Sequence, residues 1–220
     1  MQTEYLSKQN SSTLILFFNG WGMNNSILEH LKNTEFDILC FSNYDNDYIF
    51  DDKVTKGYKK IYLVAWSMGV WASAKTLENL NIKFDKKIAI NGTLKPISDN
   101  FGIPISIFEG TINNFSERNK MKFDKRMLGS KEDFLWFQNL KSKRENITQL
   151  EELKLIYKNA LNPRIDFTFD EIIIGQEDLI FPVKNQLKFW ENRGAISTIK
   201  CPHFPFQFFN SWSDIIGING

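Results

Sequence analysis

Cysteine, histidine and long apolar runs are scarce in this sequence. Only two cysteines, Cys40 and Cys201, occur among the 220 residues. Two cysteines are too few for a disulfide framework in a chain of this length, and we expect both to be free thiols. Cys201 lies two residues before His203, which makes a reactive thiol the alternative. A cysteine nucleophile needs a turn that presents it to substrate, so we favour a structural role.

No segment approaches the roughly 18 consecutive apolar residues that a membrane-spanning helix needs. The chain begins with MQTEYLSKQNSS, which is polar and lacks the apolar core of a signal peptide. We therefore expect a cytoplasmic protein that does not bind a membrane. An excess of one charge is also lacking, because 27 Lys and Arg are balanced by 26 Asp and Glu. This balance gives no indication of a nucleic-acid partner or of an anionic membrane surface, and we expect neither.

The sequence does contain a series of short apolar runs, each followed by a turn and an amphipathic stretch. This alternation is typical of parallel strands joined by crossover helices. The predicted strands are 13–19, 37–41, 60–65, 87–91, 171–175 and 195–200, and the predicted helices are 25–32, 68–80, 183–192 and 206–215. The pattern predicts an α/β fold with a mostly parallel sheet flanked by helices.

One stretch departs from this alternation. Between Pro104 and about Pro163 no run resembles a strand, and the apolar residues have helical spacing. The length of the chain and its 42% hydrophobic content suit one core. We therefore predict a single domain over residues 1–220, with a helical cap inserted at approximately 104–165 over the carboxyl ends of the strands.

The segment AWSMG, residues 65–69, directly follows an apolar strand and directly precedes a helical pattern. A nucleophilic serine at such a strand-to-helix turn needs small residues two positions before and after it, because the backbones crowd there. The usual form is G-x-S-x-G, and Ala65 replaces the first glycine here. Ser67 is the candidate nucleophile. The alternative is that Ser67 caps the following helix.

The segment NGWGMN, residues 19–24, ends the first predicted strand. Its glycines allow a turn in which the backbone N–H of Trp21 points above the sheet. There it could pair with the N–H of Met68 as an oxyanion hole, which needs two donors. The alternative is a glycine-rich turn in which Asn24 or Asn25 caps a helix.

Two more candidates follow later strands. Asp178 lies just past the strand EIIIG, and His203 lies just past the next strand. Catalytic groups of open α/β sheets gather outside the carboxyl ends of the strands. The order Ser67, Asp178, His203 along the chain is that of α/β-hydrolases. We predict Ser67 as nucleophile, His203 as general base and Asp178 as the residue that orients the histidine.

Other acidic residues and the second histidine are weaker candidates. Asp99 is the credible substitute for Asp178, whereas Asp170 would lie at the start of its strand, on the opposite edge of the sheet. His30 falls in the first helical stretch and is most simply a surface or partly buried residue. The loop containing Asp45, Asp47, Asp51 and Asp52 lacks ligand-like spacing, and we interpret it as solvated rather than as a metal site.

The predicted cap differs from the rest of the chain in charge. Residues 117–165 contain 12 Lys or Arg and 7 Asp or Glu, a net charge of +5, while the remainder has 15 against 19. Arg118, Lys122 and Arg126 recur at four-residue spacing with Lys125 adjacent, which predicts one basic helical face. This face is a candidate docking surface for an acidic partner, or else an ordinary solvated surface. Five aromatic residues of this region are expected mostly to pack the cap on the core, namely Phe115, Phe123, Phe134, Trp136 and Phe137.

Taken together, NGWGM, AWSMG, INGTLKPISDNFGIP, FEGTINNF and PHFPF resemble the BioG-type pimeloyl-[acyl-carrier protein] methyl ester esterases. The resemblance covers nearly the whole chain and is weakest over residues 129–163. It implies an α/β-hydrolase of biotin biosynthesis that hydrolyses the methyl ester of pimeloyl-acyl carrier protein without a metal or organic cofactor. By position it implies the same triad of Ser67, Asp178 and His203, with oxyanion donors at Trp21 and Met68. The basic cap would then contact the acidic carrier protein.

Two other functions use the same features. Another carboxylic ester hydrolase or an acyl thioesterase would share the triad and differ in its acyl pocket, which the sequence does not define. A hydrolase-like binding module would use the cap to hold a protein partner and would not need Ser67. The presence of serine, acid, base and both turns makes this module the weakest of the three hypotheses.

Overall fold

The computed structural model describes residues 1–44, 48–140, 144–161 and 163–217. Its centre is a seven-stranded sheet in the order β1-β3-β2-β4-β5-β6-β7. The strands are β1 (Gln2–Ser7), β2 (Thr13–Phe18), β3 (Asp37–Ser42), β4 (Lys60–Trp66), β5 (Lys86–Ile90), β6 (Glu171–Gly175) and β7 (Ala195–Ile199). β1 pairs antiparallel with β3, and all other neighbouring strands in the sheet are parallel.

The central strands are apolar because helices cover both faces of the sheet. β3 is buried at every position, and β2 and β4 are buried at all but their first residues. This is the expected environment of a parallel sheet, in which strands read as continuous apolar runs. The six strands predicted from the sequence are present, with ends that differ by one residue at most. β1 was not predicted, because it is a partly exposed edge strand with the polar sequence QTEYLS.

Seven α-helices lie within the described residues. Three of them flank the sheet, namely α1 (Met68–Leu77), α6 (Val183–Trp190) and α7 (Trp212–Ile216). All four predicted helices are shorter than expected, and α1 and α6 end at Leu77 and Trp190 instead of 80 and 192. The first and the last predicted helix differ more. The first is a 3-10 helix, Asn25–Leu28, and the last is divided into a 3-10 helix, Phe206–Phe208, and α7. α7 begins anew because Ser211 and Asp214 form a capping box.

The other four helices lie between β5 and β6, inside the segment predicted as a cap. They are α2 (Ile105–Asn113), α3 (Glu117–Leu128), α4 (Lys131–Leu140) and α5 (Asn146–Ala160). Residues of α2, α3 and α5 line a cleft that also contains Ser67 and His203. These helices therefore lie above the carboxyl ends of the central strands. Across the described ranges, no helix is both long and apolar enough to cross a membrane.

Candidate active site

Ser67 occupies the sharp turn between β4 and α1. Its backbone has φ 59° and ψ −125°, a strained conformation for a residue other than glycine. The Ser67 N–H donates to the carbonyl oxygen of Ile90 at 2.9 Å, which fixes the turn to β5. The side chain makes no capping bond to α1. Its Oγ instead lies 2.9 Å from Nε2 of His203, so the alternative of Ser67 as a side-chain helix cap is wrong.

Close backbone contacts explain the small residues around this turn. A Cβ atom on Gly69 would lie 2.2 Å from the carbonyl oxygen of Phe18, and one on Gly92 would lie 2.4 Å from that of Ser67. Real Cβ atoms do not approach backbone atoms so closely, so glycine is required at both positions. Ala65, which replaces the usual first glycine, is fully buried in β4. The sequence motif indicated Gly69, but it gave no signal for Gly92.

A second hydrogen bond extends the arrangement from His203 to Asp178. His203 Nδ1 lies 2.8 Å from Asp178 Oδ2, and both residues are buried. The other carboxylate oxygen, Oδ1, accepts from the backbone N–H groups of Ile180 and Phe181, each at 2.8 Å. Gln186 Nε2 donates to Oδ2 at 3.0 Å. The carboxylate is thus held by four donors, and His203 is one of them.

The backbone of His203 is also held in place. Its carbonyl oxygen accepts from Trp66 Nε1 and from Asn91 Nδ2, both at 2.9 Å. Asn91 Oδ1 accepts from the Gly175 N–H at 2.6 Å, which ties β5 to the end of β6. Sequence reasoning missed Asn91, Trp66 and Gln186. The only available signal was an asparagine at a strand end, where a left-handed backbone such as the φ of 47° at Asn91 is often found.

The structure places the other acids and the second histidine elsewhere. Asp99 is exposed, and its Oδ1 accepts from the Ile105 N–H at 2.9 Å, near the start of α2. Asp170 accepts from the Lys87 N–H at 2.7 Å, at the amino end of the sheet. His30 is partly buried, and its Nε2 lies 3.1 Å from the Phe206 carbonyl oxygen, which is consistent with a structural role. Only Asp178 of these acids is hydrogen-bonded to His203.

Trp21 and Met68, the predicted oxyanion donors, line the same cleft as Ser67 and His203. Met68 is the first residue of α1, so its N–H has no acceptor within the helix. No residue in the described ranges accepts a hydrogen bond from the Trp21 N–H. The two N–H groups therefore remain available for a ligand oxygen. The alternative interpretation of this turn also applies, because the Asn24 side chain accepts from the Ser26 N–H and caps the 3-10 helix.

The side chain of Trp21 is enclosed by the helices above it. Its Nε1 donates to the Gln149 carbonyl oxygen of α5 at 2.8 Å. The rings of Phe123 and Phe115 pack edge-on against the indole at 5.2 and 6.1 Å between centroids. Lys120 Nζ lies 5.4 Å from the ring centroid. These contacts come from α3, from α5 and from Phe115 between α2 and α3, and they fix the position of the turn that carries the Trp21 N–H.

The cleft itself has about 600 Å³ of space, including its open mouth, and its lining is mostly apolar. Ile107, Phe108, Phe123 and Leu179 contribute to this lining, and Arg126 is the cation among the lining residues. An apolar cleft next to a nucleophile suits an uncharged acyl chain better than a charged one. Of the five aromatic residues of the cap, Phe123 alone lines this cleft, so the expectation of mostly packing roles is correct.

A wider basic groove adjoins the cleft between α2 and α3. It measures about 1220 Å³ including open solvent, and Lys122, Lys125 and Arg126 lie along it. Arg118 is exposed on α3, the helix that also carries these three residues. Lys120 belongs to a buried ion pair with Asp124, so it adds nothing to the exposed charge that the sequence count suggested. Arg126 borders both spaces and marks the point where the cleft opens into the groove.

Neither cysteine lines the cleft that contains Ser67 and His203. Cys40 and Cys201 are both free and buried. Burial, assisted by the carboxylates of Asp178 and Glu177, raises the pKa of Cys201 to about 12. No cluster of potential metal ligands occurs among the residues that the structure describes. In the acidic loop, Asp51 caps a 3-10 helix through the Lys53 N–H, whereas Asp45 and Asp47 lie outside the described residues.

The sheet order, the crossover helices and the serine at the strand-to-helix turn define an α/β-hydrolase fold. The family model described as "Pimeloyl-ACP methyl esterase BioG" matches residues 1–215. The chain belongs to this family.

The chain is similar to the following proteins of known sequence or structure. A crystal structure of BioG from Haemophilus influenzae superposes with a TM-score of 0.88 at 33% identity, covering 98% of this chain and 99% of that one. A Bacteroides fragilis protein named malonyl-[acyl-carrier protein] O-methyltransferase is 41% identical over 179 residues, which are 80% of this chain. The match spans only 36% of the length of that relative. The crystal structure of a putative aryl esterase from Burkholderia cenocepacia superposes with a TM-score of 0.69 at 12% identity. The superposition covers 98% of this chain and 93% of that one, and it shows a shared fold alone.

Proposed function

We propose that the protein is a serine esterase that hydrolyses the methyl ester of pimeloyl-[acyl-carrier protein], giving pimeloyl-[acyl-carrier protein] and methanol in biotin biosynthesis. The observation that carries the proposal is the hydrogen-bonded series from Ser67 Oγ to His203 Nε2, 2.9 Å, and from His203 Nδ1 to Asp178 Oδ2, 2.8 Å. This series lies in an apolar cleft next to the backbone N–H groups of Trp21 and Met68. Acyl transfer also requires such donors, because they stabilise the oxyanion.

In the first half of the reaction, His203 Nε2 takes the Ser67 proton while Oγ attacks the ester carbonyl carbon. The N–H groups of Trp21 and Met68 donate to the oxyanion that forms, and the dipole of α1 adds to the stabilisation. The C–O bond to the methoxy group then breaks, and His203 protonates the leaving group to give methanol. Asp178 holds the imidazole in the required tautomer and stabilises its charged form.

The second half releases the acid. His203 removes a proton from a water molecule, whose oxygen attacks the acyl-serine. The bond from the acyl carbon to Ser67 Oγ breaks, and His203 returns the proton to Oγ. The product is the ω-carboxylic acid, still attached through its thioester to the carrier, and it ionises to the carboxylate by losing its proton to solvent. Protein groups and one water balance every step, and the apolar lining of the cleft favours departure of the charged product.

The basic groove supports a carrier protein as the partner. Lys122, Lys125 and Arg126 would face an acidic carrier docked outside α3, while the acyl chain enters the cleft past Arg126. This direction of entry brings the distal methyl ester, rather than the thioester, to Ser67. The family description and the carrier-linked substrate in the name of the Bacteroides relative support the same substrate class.

The direct test incubates pimeloyl-carrier methyl ester with the wild-type protein and with Ser67→Ala, followed by intact-protein mass spectrometry. We expect the carrier to lose the mass of one methylene with the wild type only, at a rate at least about 10³ times that of the variant. Release of the free carrier would show a thioesterase instead. No reaction with either protein would contradict the esterase proposal.

Carrier docking is tested by reversing charge in the groove. In Lys122→Glu and Arg126→Glu, we expect KM for the carrier substrate to rise with little change in kcat, because docking lies outside the reacting atoms. The difference from the wild type should shrink as salt is added. Lys59→Glu, an exposed lysine at the amino end of the sheet, is the matched control. An unchanged KM in both groove variants would contradict docking on this face.

A further inference from the structure

A fully buried carboxylate, outside the proposed triad, connects the cap to the candidate oxyanion turn. Glu152 lies on α5 with 0% exposure. Its Oε1 accepts from the Tyr44 N–H at 2.9 Å. Its Oε2 accepts from the Gly22 N–H at 3.2 Å and from Arg144 Nη1 at 2.8 Å. Burial raises the pKa of Glu152, while the Arg144 guanidinium and these N–H groups act in the opposite direction.

The contacts of Glu152 converge on the turn that carries Trp21. Gly22 is the next residue after Trp21, and one turn earlier on α5 the Gln149 carbonyl oxygen accepts from the Trp21 indole at 2.8 Å. α5 therefore binds two successive residues of the turn, Trp21 through its indole N–H and Gly22 through its backbone N–H. Gly22 has φ +73°, and a Cβ there would lie 2.9 Å from Gln149 Oε1, so the helix and the turn are in close contact.

A third attachment runs through Tyr44. Its backbone N–H is bound by Glu152, and its hydroxyl donates to the Asn19 carbonyl oxygen at 2.7 Å. Asn19 begins the turn that Gly22 ends. Glu152 is thus bonded directly to one end of the turn and, through one intervening residue, to the other. Trp21, whose N–H is the proposed oxyanion donor, lies between these two fixed points.

We propose that Glu152 is a positioning residue for the oxyanion hole, setting the Trp21 N–H through its bonds to Gly22 and Tyr44. The inference rests on the proposed function, in which that N–H is an oxyanion donor. A donor stabilises the transition state only when it is held at hydrogen-bond distance from the developing oxyanion, and loss of one such donor reduces kcat about 10²- to 10³-fold. A donor that is loosened rather than lost gives a smaller effect.

The test compares Glu152→Gln with Glu151→Gln. Glu151 is the exposed neighbour on α5, so the second variant makes the same charge change on the same helix without touching the turn. Glutamine keeps the size of Glu152 but has one acceptor oxygen, whereas donors face both carboxylate oxygens. We expect kcat to fall about 10- to 100-fold in Glu152→Gln, within the range for a weakened donor. KM should change less than about twofold, since substrate binding is preserved.

A second readout separates positioning from a general structural role. A trifluoromethyl ketone forms a hemiketal with the nucleophilic serine, and its oxygen occupies the oxyanion position. Its affinity for the folded protein should fall by the same factor as kcat in Glu152→Gln and stay unchanged in Glu151→Gln. A variant with lowered Tm but wild-type kcat and analogue affinity would overturn the inference. If Glu152→Gln does not fold, Glu152→Asp keeps the charge beside Arg144 and shortens the reach, and wild-type kcat in that variant would overturn it equally.

Failure of this inference is distinguishable from failure of the proposed function. If the wild type does not hydrolyse the carrier methyl ester, the substrate proposal fails on its own. The role of Glu152 is then measured with a fluorophosphonate, which phosphonylates a nucleophilic serine and directs its P=O oxygen to the same donors. Slower labelling of Ser67 in Glu152→Gln than in Glu151→Gln supports the positioning role, and equal labelling rates contradict it.

Discussion

Replacing Asp178 by asparagine changes one oxygen to nitrogen and leaves the volume of the side chain almost unchanged. The surroundings decide which way the amide faces. The Oδ1 position receives two backbone N–H donors, from Ile180 and Phe181, and these cannot be reoriented. The Oδ2 position also receives a donor from Gln186, but that side-chain amide can rotate away whereas the two backbone groups cannot. We therefore expect the amide oxygen at the Oδ1 position. Its NH₂ group then takes the Oδ2 position, which lies 2.8 Å from His203 Nδ1.

This orientation imposes the wrong tautomer on the histidine. An NH₂ donor at the Oδ2 position requires an unprotonated Nδ1, so the proton moves to Nε2 of His203. A protonated Nε2 cannot accept the Ser67 proton across the 2.9 Å contact. The same substitution in a serine protease triad lowers kcat about 10⁴-fold, and we expect a loss of about 10³ to 10⁴ here. At about 1.4 kcal/mol per factor of ten, this is roughly 4–6 kcal/mol of transition-state stabilisation.

The assay is initial-rate hydrolysis of the carrier methyl ester by folded Asp178→Asn, with Tm measured in parallel. Asp99→Asn is the matched control, because Asp99 also follows a strand of the sheet but its side chain accepts from the Ile105 N–H at the start of α2 instead of bonding to His203. We expect the control to retain its rate within about twofold, as surface substitutions normally do. A rate within a few-fold of wild type in Asp178→Asn, or a large loss in Asp99→Asn, would refute the assignment of the acid.

Two further predictions concern packing and the buried thiol. Gly69→Ala should destabilise the protein by about 1–3 kcal/mol, because the new Cβ would overlap the Phe18 carbonyl oxygen. Thermal unfolding would then show a Tm lower by roughly 2–12 °C, whereas Gly110→Ala, where nothing lies within 4 Å, should lower it not at all. Cys201, with a pKa of about 12, is protonated at pH 8, and its reactive thiolate forms only as the pH approaches that value. Iodoacetamide at pH 8 should therefore label it in the unfolded but not the native protein, and inactivation in step with Cys201 alkylation would contradict this.

The strands of the sheet illustrate what a sequence can reveal about this fold. β2, β3 and β4 are buried on both faces, so each has to be an almost continuous apolar run, and the run is visible without a structure. β1 has no such requirement. It is a polar edge strand, and only its antiparallel pairing with β3 makes it part of the sheet. Local sequence therefore predicted the core strands and could not predict this edge.

The supporting residues of the site depend on contacts that cross the whole chain. Glu152 is 130 positions from Gly22, and Asn91 is 112 positions from His203. Gln186 lies on a helix face that has no motif, yet its amide bonds to the proposed triad acid. Such contacts depend on how the helices pack over the sheet. Neither the composition nor the spacing of residues in the sequence predicts them.

The sequence by itself determined the order Ser67, Asp178, His203 and the position of each just after a strand. Parallel strands present their carboxyl ends at one edge, so this order was sufficient to predict that the three residues meet. Asp99 also followed a strand, and the sequence could not choose between the two acids. Only the tertiary structure shows which acid is hydrogen-bonded to His203, because β6 lies beside β7 and brings Asp178 within 2.8 Å of it, while the Asp99 side chain accepts from the Ile105 N–H of α2.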